Sequence, residues 1–375
     1  MKRVAHLVIN LHHGGAEQLV VRWVRARLAA LGHDSTYVVT LDELGDLAPQ
    51  LPEANLFCLD AKRHRKPWDR AAVRDLRQFL QAKQIDVVHS HNLAAQQYGV
   101  LGTVRSAVAL VQTQHGANTH VLGMGNRLRS AALSRLTDAV VAVSAGTRDS
   151  MVSQQFIPAQ KIRLIPNGVA AYSQVDELEV ARMRAQYGLD DCFVFGSVGR
   201  LAAVKGWARF LPEFAAFASQ VHAVAGGQPA KLLLVGDGPE RAAIEQQAKS
   251  LGIADLVVLA GFQTDPQPWL ALMDVFLLPS LSEGLSVALL EALEGGLYGC
   301  VTDVGDCGTV VREVGHGSVL AVETRAWSQQ LLEIYQARPK RRVAALSSSF
   351  AGRIYSQSHC LECYEDLYTS VAINP

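Results

Sequence analysis

The sequence predicts an α/β protein of two Rossmann-like domains, each a parallel sheet covered by helices. Three observations predict this. Short apolar runs without polar alternation recur, among them Ala139-Val140-Val141-Ala142-Val143, Leu232-Leu233-Leu234-Val235 and Val275-Phe276-Leu277-Leu278. Strands buried on both faces have this character. Stretches with helical apolar spacing separate the runs. Glycine and polar residues collect just after the runs, where an open α/β sheet presents its ligand-binding loops.

Length and composition agree with two such domains. The chain has 375 residues, 49% of them hydrophobic and 19% charged, enough for two cores and too apolar for long disorder. Thirty-five basic residues balance thirty-five acidic ones, so no global field argues for nucleic acid. No apolar run reaches transmembrane length, and the N-terminus opens on a strand, Val4 to Ile9, rather than a signal peptide. A cytoplasmic protein is expected, with six reduced cysteines. Cys360 and Cys363 form a C-x-x-C beside His359, but without four-ligand spacing they read as packed thiols, and no metal site is expected.

The first domain is expected over residues 1–170. Its first strand, about residues 3–11, ends in His12-His13-Gly14-Gly15, and a helix follows with Leu19, Val20, Trp23, Val24, Leu28 and Leu31 on one face. The glycines let backbone approach a ligand, but they do not fit G-x-G-x-x-G, so no dinucleotide site is expected. Strands follow at Tyr37–Thr40 and Leu56–Leu59. Between Lys62 and Arg70 lies a basic run, Lys62, Arg63, His64, Arg65, Lys66 and Arg70 around Trp68, either a solvated loop or a contact for an anionic membrane or acceptor. A helix is expected from Val73 to Leu80. Strands at Ile85–Val88, Leu110–Thr113 and Ala139–Val143 end in His89-Ser90-His91, Gln114-His115-Gly116 and Ser144-Ala145-Gly146. His91 and His115 are therefore expected on one rim. Ile162–Ile165 leads into Pro166-Asn167-Gly168-Val169.

Residues 171–191 are charged and lack strand character. The strand pattern restarts with Phe193–Val198, and the second domain is expected over 171–355. Gly199-Arg200 and Lys205-Gly206 precede an aromatic-rich helix from Trp207 to Phe217; the two cations suit a diphosphate clamp or an ordinary surface pair. Lys231–Val235 ends in Gly236-Asp237-Gly238-Pro239, and Leu256–Phe262 is the next strand. Val275–Leu278 stops at Pro279 and feeds Ser280-Leu281-Ser282-Glu283-Gly284-Leu285-Ser286. A helix follows with Val287, Leu290 and Leu293 on one face and Glu291 inside it. A helix N-terminus after a strand suits an anion. Carboxylates there, Glu283 and Glu291, make sense if they address hydroxyls. A strand is expected at Gly299–Thr302, and helices at Trp327–Tyr335 and from Ala344 onward. The final helix, in 356–375, carries Leu361, Tyr364, Leu367 and Tyr368 as a stripe suited to docking on the first domain.

In this order and spacing the motifs resemble the GT-B retaining glycosyltransferases of family GT4, over nearly the whole chain. Glu283 and Glu291 match the family's E-x7-E motif; Gly14-Gly15, the strand end at His91, Thr113-Gln114-His115-Gly116, Pro166-Asn167-Gly168 and Gly236-Asp237-Gly238-Pro239 surround it. The resemblance implies two domains facing each other across a cleft and transfer of a sugar from a nucleotide diphosphate sugar. UDP-hexose or UDP-N-acetylhexosamine is the first choice and GDP-mannose the second. The acceptor would be a glycan, lipid-linked or small molecule, in cell-envelope or exopolysaccharide synthesis. Catalytic roles fall on His115, Glu283, Lys205 and Arg200. Donor contacts fall on Gly15, Arg200, Lys205, Gly236, Phe262, Glu283, Gly284, Leu285, Ser286 and Glu291, with His91 and His115 on the acceptor side. Glu291 would hold ribose hydroxyls, Glu283 the donor sugar, and Phe262 would border the base. No Asp-x-Asp pair stands in a suitable place, so neither metal nor other cofactor is expected. Tyr298 stands where many members have proline, and Asp306 where a second glycine is common. A nucleotide-sugar epimerase on the same architecture and a non-catalytic partner protein are the alternatives; the retained Arg200, Lys205, Glu283 and Glu291 favour a transferase.

Overall fold

Every pairing between strands is parallel among the described residues of this computed structural model. These are residues 2–12, 14–61, 68–116, 123–223, 228–321, 323–341 and 354–372. The chain divides into two units, Met1–Pro166 with Cys360–Pro375, and Asn167–His359.

The first unit runs β1 (Val4–Val8), α1 (Gly15–Leu31), β2 (Thr36–Thr40), β3 (Leu56–Cys58), α2 (Arg70–Ala82), β4 (Val87–His91), α3 (Asn92–Thr103), β5 (Ala109–Gln114), α4 (Met124–Arg135), β6 (Ala139–Ala142), α5 (Ala145–Gln155) and β7 (Ile162–Leu164). The sheet order is β3-β2-β1-β4-β5-β6-β7. Strand order therefore reverses between β1 and β4, a switch point where loops diverge and leave a crevice. β1, β2, β4 and β5 are buried along their whole length, while the edge strand β3 is half-buried. That is why the inner strands carry continuous apolar runs.

The second unit runs α6 (Glu177–Gln186), β8 (Phe193–Val198), α7 (Trp207–Ala223), β9 (Ala230–Val235), α8 (Arg241–Ser250), β10 (Val257–Gly261), α9 (Gln267–Ala271), β11 (Val275–Leu278), α10 (Val287–Glu294), β12 (Tyr298–Val301), α11 (Cys307–Val314), β13 (Gly317–Val319) and α12 (Trp327–Ala337). The order is β10-β9-β8-β11-β12-β13, and the switch point lies between β8 and β11. Its core joins Phe193 and Phe195 to the α7 face of Trp207, Phe210, Phe214 and Phe217, with Trp327 from α12. Pro212 inside α7 cannot donate to the Ala208 carbonyl. Gln247 Nε2 donates to that oxygen instead, at 2.8 Å.

The last helix, α13 (Gln357–Val371), belongs to the first unit from Cys360 onward. It buries Tyr364, Leu367 and Tyr368 there, while Leu361 is half-buried. Arg27 in α1 fixes it through an ion pair with Glu365. The buried Arg27 guanidinium also donates to Ser35 O at 2.7 Å, Thr36 Oγ1 at 2.8 Å and Lys2 O at 2.9 Å.

Three elements differ from the sequence expectation. The charged interval 171–191 contains α6, which buries no residue and so lacks an apolar stripe. It is held by its cap: Asp176 accepts from Leu178 N at 3.0 Å. β13 has three residues, too few for a pattern. β4 extends to His91, so His89 and His91 lie within the strand rather than after it.

Candidate functional site

The loops after β8 and β11 meet at the switch point of the second sheet. Gly206 permits the meeting. Its φ is 75°, a left-handed conformation that favours glycine, and an added Cβ would stand 2.2 Å from the Pro279 carbonyl oxygen. Leu281 N donates to Val204 O at 2.7 Å, and Arg209 Nη2 donates to Pro279 O and Ser280 O, each at 2.9 Å. Thr302 Oγ1 donates to Ser280 O at 2.7 Å, and Asn167 Nδ2 to Leu285 O at 3.0 Å. The loop Pro279–Ser286 is thus held by side chains and backbone from several directions, which fixes its free groups in space.

Held this way, Lys205 Nζ reaches Glu283 Oε1 at 2.7 Å, and Ser280 Oγ donates to the same oxygen at 2.6 Å. Lys205 and Glu283 keep 19% and 14% exposure, so the pair is partly desolvated yet reachable. Ser286 caps α10, accepting from Leu289 N at 3.4 Å. Gly284 and Leu285 are buried just ahead of it, and Glu291 is half-buried one turn into the helix. Arg200 is exposed at the start of its loop. On the other flank, Gly236 N donates to Gly261 O at 2.8 Å, which places half-buried Phe262 beside the loop after β9. Gly236 would clash with Gly199 O at 2.0 Å if it bore a Cβ.

Tyr298 and Asp306 do not disturb this loop. Tyr298 is the first residue of β12, paired with Val275, with its ring edge on His316 at 5.5 Å. Asp306 has φ −102°, ordinary for any residue, and its N–H donates to Gly284 O at 3.0 Å. The neighbouring Gly305, at φ 57°, takes the position that needs glycine. Asp303 is ion-paired with Arg312.

In the first unit, Gly15 begins α1, exposed, with open space where a Cβ would be. His91 and His115 do meet, but not on an open rim. The parallel register sets His6 opposite His89, and His91 opposite Thr113. Because side chains alternate, His6, His89, His91, Thr113 and His115 fall on one face of three strands. Trp23 from α1 and Tyr364 from α13 cover them, with ring centroids 6.1 Å and 5.0 Å from His115 and His89 respectively. His91 is 1% exposed, while His115 is half-buried with its Nδ1 covered. This corrects the expectation that both histidines line the rim: His91 is an inward strand residue.

The histidines are chained. His6 Nδ1 lies 3.0 Å from His91 Nε2, and His91 Nδ1 lies 2.9 Å from His115 Nε2. His89 is bracketed separately by Tyr368 OH and Thr113 Oγ1, both at 2.7 Å. Burial, with Arg27 and then His115 as further causes, pushes His6 down to about 3; burial pushes His115 down to about 4. Burial, aided by the neighbouring imidazoles, holds His89 and His91 well below the ordinary range. All four are neutral at neutral pH. His6 and His89 escaped the sequence reading. The available signal was H-x-H at 89 and 91 beside T-x-H at 113 and 115.

Cys360 is buried and Cys363 half-buried, both as thiols rather than a disulfide. Lys62, Arg63, His64, Arg65 and Lys66 of the basic run lie outside the described residues; Arg70 starts α2 with its guanidinium 5.7 Å from the Trp68 ring centre. No described helix is long and apolar enough to cross a membrane.

The family described as Glycosyltransferase Family 4 matches residues 13–171, and that described as Glycosyl transferases group 1 matches residues 192–337. The 2-deoxystreptamine glucosyltransferase of Streptomyces kanamyceticus is 30% identical over 312 residues, covering 79% of this chain and 74% of that protein. The putative glycosyltransferase EpsF of Bacillus subtilis is 28% identical over 371 residues, covering 91% and 90%. The crystal structure of Anabaena HepE in complex with UDP superposes with a TM-score of 0.80 at 19% identity, covering 98% of this chain and 100% of that one, a likeness of fold. The chain belongs to the family 4, group 1 glycosyltransferases and has their GT-B fold of two Rossmann-like parallel-sheet domains.

Proposed function

We propose that the second unit holds the diphosphate of a nucleotide sugar at the loops after β8 and β11, and that the enzyme transfers the sugar with retention of anomeric configuration. The observation that carries this reading is the Lys205–Glu283 contact at the switch point, 2.7 Å long, beside the N-terminus of α10. A cation, a helix N-terminus and a hydroxyl-seeking carboxylate are thereby concentrated on one rigid loop pair. Departure of a nucleoside diphosphate builds charge on the leaving phosphate, and preorganised donors stabilise that charge most in the transition state. Lys205 and Arg200 supply the cations, and the backbone at Gly284, Leu285 and Ser286 supplies amides. Glu283 addresses hydroxyls of the donor sugar, Glu291 those of the ribose, and Gly236 and Phe262 border the base. Because the protein brings its own cations, we propose that no divalent ion is required. Attack from the face the phosphate leaves, with that phosphate as base, is the route we favour. In the first unit, Gly15 and His115 are proposed as substrate contacts, with His91 supporting His115 from behind.

A UDP-linked hexose or N-acetylhexosamine is the proposed donor, ahead of GDP-mannose; the glucosyltransferase name of the Streptomyces relative and the UDP in the HepE structure support this order. A glycan, lipid-linked or small-molecule acceptor of cell-envelope or exopolysaccharide synthesis is proposed, the lipid-linked form being compatible with Lys62, Arg63, Arg65, Lys66 and Arg70 as an anionic-membrane contact. A panel of UDP- and GDP-sugars tests the reading, scored for released nucleoside diphosphate with and without EDTA. Donor-specific release that survives EDTA is expected, slow with water alone and faster with acceptor. A 2-epimer product, or no turnover of any donor, overturns it.

A further inference from the structure

The chain His6–His91–His115 has a proton count that no arrangement of the described residues satisfies. Three neutral imidazoles carry three N–H groups and three lone pairs. The middle ring has one of each, so both links must run in the same sense. In one sense, His6 Nδ1–H donates to His91, His91 Nδ1–H donates to His115, and a proton is left on His115 Nδ1. In the other sense, His115 Nε2–H donates inward and the spare proton is left on His6 Nε2. Those two end atoms, His6 Nε2 and His115 Nδ1, are both buried without a partner among the described residues. His89 does not share this problem, because Tyr368 and Thr113 hydroxyls can rotate to suit either tautomer.

The two ends are not equivalent. His6 is 1% exposed inside the sheet, where a stranded N–H stays stranded. His115 stands just past β5 and is only half-buried as a residue, but its Nδ1 is itself covered, so a substrate oxygen takes the proton only if binding uncovers that atom. We propose that His6 is a positioning residue, two imidazoles behind the strand end, that sets the sense of the chain so that His115 Nδ1 presents an N–H to an acceptor oxygen of the bound sugar substrate. The last clause rests on the glycosyltransferase reading; the coupling of the three tautomers does not. The same nitrogens argue against a metal. One ring nitrogen each from His6, His89 and His91 can come within 4.8 Å of one another, but both nitrogens of His89 and both of His91 already serve hydrogen bonds.

Long-range 1H–15N correlation of the imidazoles in the full chain reads each tautomer directly, without substrate. Single-histidine variants assign the signals. His6, His91 and His115 are expected to share the Nδ1–H form. In His6→Phe, His115 is expected to become a mixture of tautomers; in His6→Asn the single form is expected to return, because an amide that donates to His91 Nε2 strands one N–H whereas one that accepts from it strands two. With the donor identified by the panel, His6→Phe is expected to lower kcat about tenfold, the worth of one hydrogen bond, with KM little changed. Differing tautomers among the three rings, an unchanged His115 in a folded His6→Phe, or displacement of the His6, His89 and His91 signals by micromolar zinc overturns the proposal.

Discussion

Lowering the pH from 7.5 to 5.5 should loosen the first unit while sparing the second. In the folded state His6 is held near 3 and His115 near 4, with His89 and His91 well below the ordinary value, each chiefly by burial. In the unfolded chain each returns to about 6.5. Between these values the unfolded state binds more protons, so stability rises with pH. The contribution is fully present above about pH 7 and is lost as pH falls through 6.5 toward 4. At pH 5.5 an unfolded imidazole is about nine-tenths protonated, worth about 1.4 kcal/mol per histidine. Three fully buried rings and the half-buried His115 sum to about 4 to 5 kcal/mol, comparable to the whole stability of a domain. His12 acts in the opposite sense, raised by Asp46 and Glu43, but it is exposed and its effect is screened. The two units need not unfold together, so hydrogen exchange resolves the effect better than one melting curve. After correction for intrinsic rates, amides of β1, β4 and β5 should lose protection at pH 5.5 relative to β8 and β11. Equal or greater protection in β1, β4 and β5 would refute the neutral, sealed cluster.

Gly206→Ala should lower stability by about 1–2 kcal/mol from the left-handed backbone alone, and more because its Cβ meets the Pro279 carbonyl oxygen; donor binding should weaken with it, and wild-type affinity by calorimetry would contradict the role given to this contact. Arg27→Ala should cost about 2–4 kcal/mol, because Ser35 O, Thr36 Oγ1 and Lys2 O lose a charged donor while Glu365, 37% exposed, is taken up by water; urea unfolding measures it, and exchange should show α13 released first. Glu291→Ala should weaken binding of the free nucleoside diphosphate about tenfold by calorimetry if it grips ribose hydroxyls, since hydrogen bonds to a charged group are worth about 1.5–3 kcal/mol.

Much of this architecture is legible in the chain because parallel strands buried on both faces cannot hide: β8 and β11 stand out as Phe193–Val198 and Val275–Leu278. The E-x7-E spacing marked the loop after β11 for the same reason, since a strand stop, Gly284 and a capped helix leave a local signature. What stayed hidden depends on register. Lys205 and Glu283 are 78 residues apart, and their meeting needs the backbone at Gly206 and its approach to Pro279. His6 looks like an ordinary core residue in an apolar strand until its pairing with His89 puts it against His91. Helix α6 was invisible because it buries nothing.

Lys205, set against Glu283, is proposed to meet charge building on a departing nucleoside diphosphate. Single-turnover release of nucleoside diphosphate, at saturating donor and acceptor, tests it in wild type and Lys205→Ala. The alanine variant should still fold and still bind donor, while its chemical step slows by on the order of a hundredfold. An unchanged rate in a variant that binds donor normally would contradict it.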